Sequence, residues 1–225
     1  MLSLGVDLAG SERRPTGVCL LDCELNARTW IVHGDAEILG IARGARPNVV
    51  AVDAPLSLPR GRKSLEDASG PHLRECDRAL LELGIRFFPV TLGPMRLLTA
   101  RGMRLKGMLE AEGFEVIEVY PGGAQDLLGI PRKARGLEPL REGLERLGIK
   151  GLWPGMSGDE LDAVTAAYVG LLYLRGEAVV LGGEDGAIVM PRPPPGFTRR
   201  GRGASSGRSR ASREPSRGRR ASRRR

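Results

Sequence analysis

Acidic residues close two otherwise apolar stretches of this chain. Residues 2–8 read LSLGVDL and residues 48–55 read NVVAVDAP, so Asp7 and Asp53 each stand at the end of an aliphatic run. A carboxylate in such a place either caps the following turn, because turns favour Asp for local hydrogen bonding, or binds a cation. Taken alone, neither residue decides between these two interpretations.

Further acids lie in segments where a carboxylate is costly. Asp159 and Asp162 are three residues apart and so share one face of a predicted helix. The helix dipole favours an acid at Asp159, in the first turn, whereas Asp162 heads an apolar run that must be buried. A buried carboxylate needs a partner or a cation. Glu118 lies within the strand-like VIEVY, where Glu is disfavoured.

Such a group of acids would repel itself without cations. Mg²⁺ and Mn²⁺ prefer hard oxygen ligands, and two ions roughly 3.5–4 Å apart can activate water and stabilise the leaving oxygen of a phosphodiester. We therefore expect Mg²⁺ or Mn²⁺ to bind here, and the number of acids favours two ions. The predicted metal ligands are Asp7, Asp53, Asp159 and Asp162, and the predicted catalytic residues are Asp7, Asp53, Glu118 and Asp162.

Basic side chains near these acids are candidates for contacting phosphate. Arg60 and Lys63 follow the strand that ends in Asp53, and Arg74 and Arg78 share a face of the next predicted helix. Helix arginines are commonly exposed and solvated, but the guanidinium fork also suits bidentate contact with phosphate. These four residues are the predicted substrate-binding set, and the expected substrate is DNA or RNA.

The elements that must position these residues alternate between strand and helix. Predicted strands are 2–8, 16–22, 29–34, 48–55 and 114–123, with a closing hairpin at 178–191; predicted helices are 35–45, 73–84, 95–113, 137–148 and 157–176. Ser157 and Glu160 have the spacing of a capping box at the start of the last helix. The pattern predicts an α/β fold with a mixed sheet, whose strand ends carry the site.

Charge divides the chain into two regions. Residues 197–225 hold twelve Arg and one Glu, a charge of +11, so the net +8 leaves −3 on the remainder. We predict one domain at 1–192 and a disordered Arg/Ser/Gly-rich tail at 193–225, too poor in apolar residues to fold. The tail either supplies non-specific affinity for nucleic acid through counterion release or is a dispensable extension.

Cysteine content and hydropathy point to a cytoplasmic protein. Three cysteines make too few ligands for a structural zinc site, and an odd number argues against a disulfide framework. The longest apolar stretch has 12 residues, whereas a membrane span needs about 20. The sequence therefore predicts no membrane association.

The order and spacing of these segments resemble the ribonuclease H fold, a three-layer fold with acids on its first strand, fourth strand and last helix. The Asp-x-x-Asp of the final helix resembles that of the Holliday-junction resolvases. More closely, the chain is similar to an uncharacterised prokaryotic family of predicted nucleases, through GVDLAG, VVAVDAPL, RECDRALLELGIRFFP, EVYPGG, DELDAVTAAYVG and GEDGAIVMP. The resemblance covers residues 2–191 and implies Asp7, Asp53 and Asp162 as metal ligands.

Three functions remain open at this point. The first is metal-dependent hydrolysis of phosphodiester bonds. The second is nucleotide binding or phosphotransfer of the actin-like and sugar-kinase type, for which DLAGSERRPTG could form a phosphate loop. However, VDAPLS has Pro where that class needs Gly. The third is a non-catalytic protein that binds nucleic acid through its basic tail.

Overall fold

A seven-stranded mixed sheet forms the centre of the computed structural model, which describes residues 1–195 and 197. Its strands are β1 (Leu2–Asp7), β2 (Thr16–Asp22), β3 (Ala27–Val32), β4 (Val49–Asp53), β5 (Val116–Val119), β6 (Ala178–Gly183) and β7 (Gly186–Pro191). The helices are α1 (Asp35–Ala45), α2 (Glu75–Glu82), α3 (Gly93–Ala111), α4 (Pro121–Leu127), α5 (Leu137–Arg146) and α6 (Gly158–Leu174), with a 3-10 turn at Lys133–Arg135.

The strand order confirms the predicted fold class. The sheet runs β3-β2-β1-β4-β5-β7-β6, with β1, β4, β5 and β7 parallel and β2 antiparallel to both of its neighbours. A three-strand meander, a helix and further parallel strands, in this order, make the ribonuclease H-like arrangement. The closing hairpin of β6 and β7 is also as predicted.

Helices cover both faces of the sheet. Leu4, Val6 and Val52 pack on one face against Leu105 and Leu109 of α3. On the other face, Val49 and Ala51 pack against Ala166 and Val169 of α6. Because both faces are buried, β1 and β4 are mainly apolar and show no regular polar alternation, and their acids lie at the strand ends.

One helix, α4, was not predicted from the sequence. The run YPGG marks the end of a strand, but Pro121 begins α4, a helix of 7 residues. Proline is tolerated in the first helical turn because its missing N–H has no partner there. The Pro-Gly-Gly sequence, which is typical of a turn, therefore starts a helix that returns the chain to α6.

Two glycines let α6 approach the sheet closely. A Cβ atom on Gly5 of β1 would lie 2.1 Å from the carbonyl oxygen of Ala163, and one on Gly17 of β2 would lie 2.0 Å from that of Asp159. Gly17 is the partner of Asp7 in the β1–β2 ladder. The first turn of α6 is therefore held against the strand end that carries Asp7.

Adding a methyl group at Gly17 should push α6 away from the sheet. We expect Gly17→Ala to destabilise the fold by about 1–3 kcal/mol, the usual cost of overpacking. Gly40→Ala is the matched control, because Gly40 lies in α1 with nothing within 4 Å of a Cβ atom, and it should stabilise by about 0.5–1 kcal/mol. Urea unfolding of both variants measures the difference; a neutral Gly17→Ala would contradict the close packing.

The predicted tail, 193–225, falls almost wholly outside the described residues. Within those residues, no helix is long and apolar enough to span a membrane.

Candidate functional site

Two of the predicted acids lie side by side at the end of the sheet. Asp7 and Asp53 are partners in the parallel β1–β4 ladder, so their side chains leave the same face of the sheet. That face is covered by α6, since Gly5, two residues before Asp7, contacts Ala163. The end of two neighbouring strands therefore presents two carboxyl groups to the start of the last helix.

The α6 acids join this pair through a lysine that the sequence analysis did not identify. The Nζ atom of Lys133 lies 2.7 Å from Oδ2 of Asp162, 3.6 Å from Oδ2 of Asp7 and 3.9 Å from Oδ1 of Asp159. Three carboxylates from one strand and one helix thus surround a single positive charge. We call Asp7, Asp53, Asp159 and Asp162 the acid cluster.

Gln125 holds the most buried acid of α6 in place. Its Nε2 donates to Oδ1 of Asp162 at 2.7 Å and to Oγ1 of Thr165 at 3.2 Å, and the Gln125 side chain is fully enclosed. Asp162 therefore has one oxygen bound to an amide and the other to the Lys133 ammonium. Its carboxylate plane is fixed by these two contacts.

The acid cluster carries more negative charge than its surroundings balance. Burial, with a smaller contribution from the nearby Asp162, raises the pKa of Asp7 to about 7 against the opposing effect of Lys133. Burial also raises the pKa of Asp53 well above its usual range, with Asp7 and Asp162 adding to the shift. Burial alone would lower the pKa of Lys133, but Asp7 and Asp162 outweigh it and raise that pKa.

The donor set fits a hard divalent cation if Lys133 moves aside. Oδ2 of Asp7 is buried and accepts no hydrogen bond, and at 3.6 Å the Lys133 ammonium is too distant to donate one. As the side chains stand, no group of three or more His, Cys, Asp or Glu among residues 1–195 and 197 is arranged to hold a metal ion. Lys133 is 46% exposed, so its ammonium can leave the cluster.

Glu118 does not join the acid cluster. It is the ladder partner of Val52, one residue before Asp53, so its side chain leaves the opposite face of the sheet. Both of its oxygens accept from Arg74 at 2.7 Å, and one also accepts from the backbone N–H of Leu56 at 2.8 Å. The expectation that Glu118 acts with the strand-end aspartates is therefore not met by the geometry.

Arg74 is also placed differently from expectation. Its side chain is 3% exposed, and its guanidinium contacts Asp77 as well as Glu118. It is the residue before α2 rather than part of an exposed helix face, and α2 packs against β6 and β7. A guanidinium saturated by two buried carboxylates has no free edge for phosphate.

The other predicted substrate-binding residues lie at the surface. Arg60 forms an exposed ion pair with Glu184 at 2.6 Å, while Lys63 and Arg78 are exposed. None of the three contacts the acid cluster. Two side chains that do contact the acid cluster, Lys133 and Gln125, were not predicted. The signal available in the sequence was their rarity. Gln125 is the sole glutamine of the chain, and Lys133 is one of four lysines among 35 basic residues.

The fold and the site together define a ribonuclease H-like protein with carboxylates at the ends of β1 and β4 and on α6. The family described as "Protein of unknown function (DUF429)" matches residues 5–186, and the chain belongs to this family. No functionally curated protein matches the sequence significantly.

Solved structures with a similar fold include two of Thermus thermophilus RuvC. One, in complex with Holliday junction substrate, has 16% sequence identity and a TM-score of 0.48, covering 78% of this chain and 96% of that chain. The other RuvC structure has 16% identity and a TM-score of 0.45, with the same coverage.

Proposed function

We propose that the protein is a divalent-metal-dependent nuclease that hydrolyses phosphodiester bonds in nucleic acid. The observation that carries this proposal is the convergence of Asp7, Asp159 and Asp162 on one cationic point, with Asp53 beside Asp7 in the ladder. Several buried carboxylates without enough positive charge destabilise a fold, and bound hard cations such as Mg²⁺ offset that destabilisation.

The acid cluster is the set of residues that would hold Mg²⁺ or Mn²⁺, and four carboxylates suit two ions. A bound divalent cation supplies Lewis acidity toward the phosphodiester and a more acidic water. Gln125 keeps Asp162 oriented, since it fixes the carboxyl oxygen that faces away from Lys133. Asp7 and Asp53 are largely enclosed by protein, which strengthens electrostatic interactions within the site.

Lys133 can also contact a phosphate group of the substrate. If the acid cluster held cations, the Lys133 ammonium would no longer be needed to neutralise its carboxylates, and this exposed side chain could contact a non-bridging phosphate oxygen. A hollow of about 350 Å³ beside Asp7 is lined by Lys133, Arg14 and Ser11, and it offers cationic and hydroxyl groups where the backbone of a strand would lie.

Metal binding and cleavage by the full-length protein test the proposal. Calorimetry with Mn²⁺ at up to millimolar concentration should show binding, and single-stranded, hybrid or branched nucleic acid should be cut only when Mn²⁺ or Mg²⁺ is present. Absence of divalent-metal binding would overturn the proposal. Stabilisation of the protein by ATP, without cleavage, would instead favour a phosphotransfer protein.

Lys133→Met gives a sharper form of this experiment. Because the built-in cation is removed, Mn²⁺ should bind about tenfold or more tightly, as expected for a charge-assisted contact of ~1.5–3 kcal/mol. Cleavage should nevertheless become slower, since the phosphate loses a cationic partner. Lys150→Met, at an exposed lysine, is the control and should change neither quantity. Unchanged Mn²⁺ affinity in Lys133→Met would show that the ammonium does not compete for the cation position.

A further inference from the structure

A second hollow is lined by Asp53 but not by Lys133. It has a volume of about 190 Å³ and lies between β4, β5, α2 and the start of α3. We call it the aromatic pocket and define it by Asp53, Phe87, Phe88, Met95, Leu98 and Tyr120. Pockets for drug-sized ligands are ~300–1,000 Å³, so this one suits a single small ring system.

The walls of the aromatic pocket are apolar, and its other polar groups are already paired. Arg74, Asp77 and Glu118 also line it, but they are bound to one another. The described part of the chain contains no side chain that donates a hydrogen bond to Asp53, so this acid is the polar group left at the edge. A ligand must therefore have apolar faces and, at its edge, a group that can donate a hydrogen bond to the Asp53 carboxyl group.

Phe88 gives the pocket an exposed aromatic entrance. Its side chain is 68% exposed, the most exposed large apolar residue in the described chain, although Phe87 beside it is partly buried. A large aromatic ring left in water at the edge of a pocket is costly for an isolated fold and typical of a binding surface. Bases of nucleic acids stack on such rings irrespective of their identity.

The aromatic pocket and the hollow beside Asp7 share part of their lining. Met95 and Leu98 of α3 line both spaces, while Asp7 lines one and Asp53 the other. The two acids are neighbours in the sheet, so the acid cluster lies between a cationic hollow and an aromatic one. A strand crossing the cluster would have its phosphates at Arg14 and Lys133 on one side and one base within reach of Phe88 on the other.

We propose that the aromatic pocket binds one unstacked nucleobase, that of a nucleotide next to the phosphate held at the acid cluster. This inference rests on the proposed function and narrows its substrate to nucleic acid with an unpaired base at that position, such as a single strand, a flap or a branch point. A base inside a continuous duplex cannot reach the pocket unless it is extruded from the stack.

The test uses the full-length protein and flap oligonucleotides, in which the junction fixes the binding position, with 2-aminopurine at one position of the single-stranded arm in turn. Unstacking of the probe raises its fluorescence. Wild-type protein should raise it at one position only, and Phe88→Ala should lose that signal and weaken binding about 10- to 100-fold. Because Phe88 is exposed, its truncation leaves the core intact. Leu81→Ala, at an exposed residue of α2 that does not line the pocket, is the matched control.

The outcomes separate this inference from the proposed function. A signal at one position that is lost in Phe88→Ala, and kept in Leu81→Ala, supports the pocket even if no cleavage is observed. A uniform or absent signal, or one that Phe88→Ala leaves unchanged, overturns the pocket even where metal-dependent cleavage occurs. High salt, at which non-specific contacts with phosphate weaken, removes any contribution from the basic residues 197–225.

Discussion

Asp7→Asn should abolish cleavage while making the metal-free fold more stable. The variant loses a carboxylate that would hold the cations, which are worth several kcal/mol of transition-state stabilisation, so the rate should fall on the order of 10³-fold. The stability of the metal-free protein should rise, because the same carboxylate is unfavourable when no cation is bound. The buried Oδ2 of Asp7 accepts no hydrogen bond, and the carboxyl groups of Asp53, Asp159 and Asp162 lie near it.

The size of that stability gain follows from the cost of an unsatisfied buried polar group. Allowing for the ion pair with Lys133 that is lost, we expect about 1 kcal/mol, or a rise of roughly 2–4 °C in the thermal midpoint. Adding Mn²⁺ should reverse the order, because a ligand that binds only the folded state stabilises wild type and not the variant. Thermal unfolding with and without Mn²⁺ measures both effects.

Glu110→Gln is the control for this substitution. Glu110 is an exposed carboxylate of α3 that is paired only with Lys106 at 3.7 Å, so its neutralisation should leave cleavage and stability within error. A metal-free Asp7→Asn protein that is markedly less stable than wild type would mean that Asp7 is a structural strand-end acid. The turn-capping interpretation of Asp7 would then replace the metal-ligand one.

The sequence alone was enough to predict the positions of those acids that lie in clear local sequence patterns. Asp7 and Asp53 end apolar runs, and parallel strands with equivalent ends must bring them together. The start of α6 was also predictable, because Ser157 and Glu160 form the capping box that their spacing indicates, with Glu160 N donating to Ser157 Oγ at 3.2 Å. These features depend on neighbouring residues and on the strand period.

Other parts of the site depend on contacts between distant segments. Lys133 follows α4 and reaches the acid cluster because that helix turns the chain back toward α6, which no periodicity in the sequence indicates. β5 has only 4 residues, too few for a pattern that would assign Glu118 to one face of the sheet. Its pairing with Val52 decides that question, and only the folded register shows it.

Arg74→Met should be the most destabilising single substitution among the predicted site residues. Met fills a similar volume but leaves two buried carboxylates, Glu118 and Asp77, without their common partner. Breaking a buried ion pair on one side costs about 3–5 kcal/mol. Arg78→Met, at an exposed position of α2, is the control and should change stability by no more than about 0.5 kcal/mol.

The stability lost in Arg74→Met should depend on pH, and the ionisation of Glu118 determines the direction of that dependence. Burial raises the pKa of Glu118, and Arg74 opposes that effect. Without Arg74 the folded-state pKa rises further, so stability is lost as pH increases through that value and recovers toward acidic pH, where the carboxyl is neutral. Urea unfolding should therefore show a smaller difference between Arg74→Met and wild type at pH 5 than at pH 8.

A second substitution identifies which charge causes the loss. Arg74→Met/Glu118→Gln removes one of the two unpaired carboxylates and should recover part of the stability that Arg74→Met loses, although Glu118→Gln alone is destabilising. Simple additivity of the two changes would contradict the ion-pair explanation. Because Glu118 also accepts from Leu56 N–H, three residues after Asp53, the same pair positions the loop that leaves the acid cluster. We therefore expect Arg74 to position this loop rather than to contact phosphate.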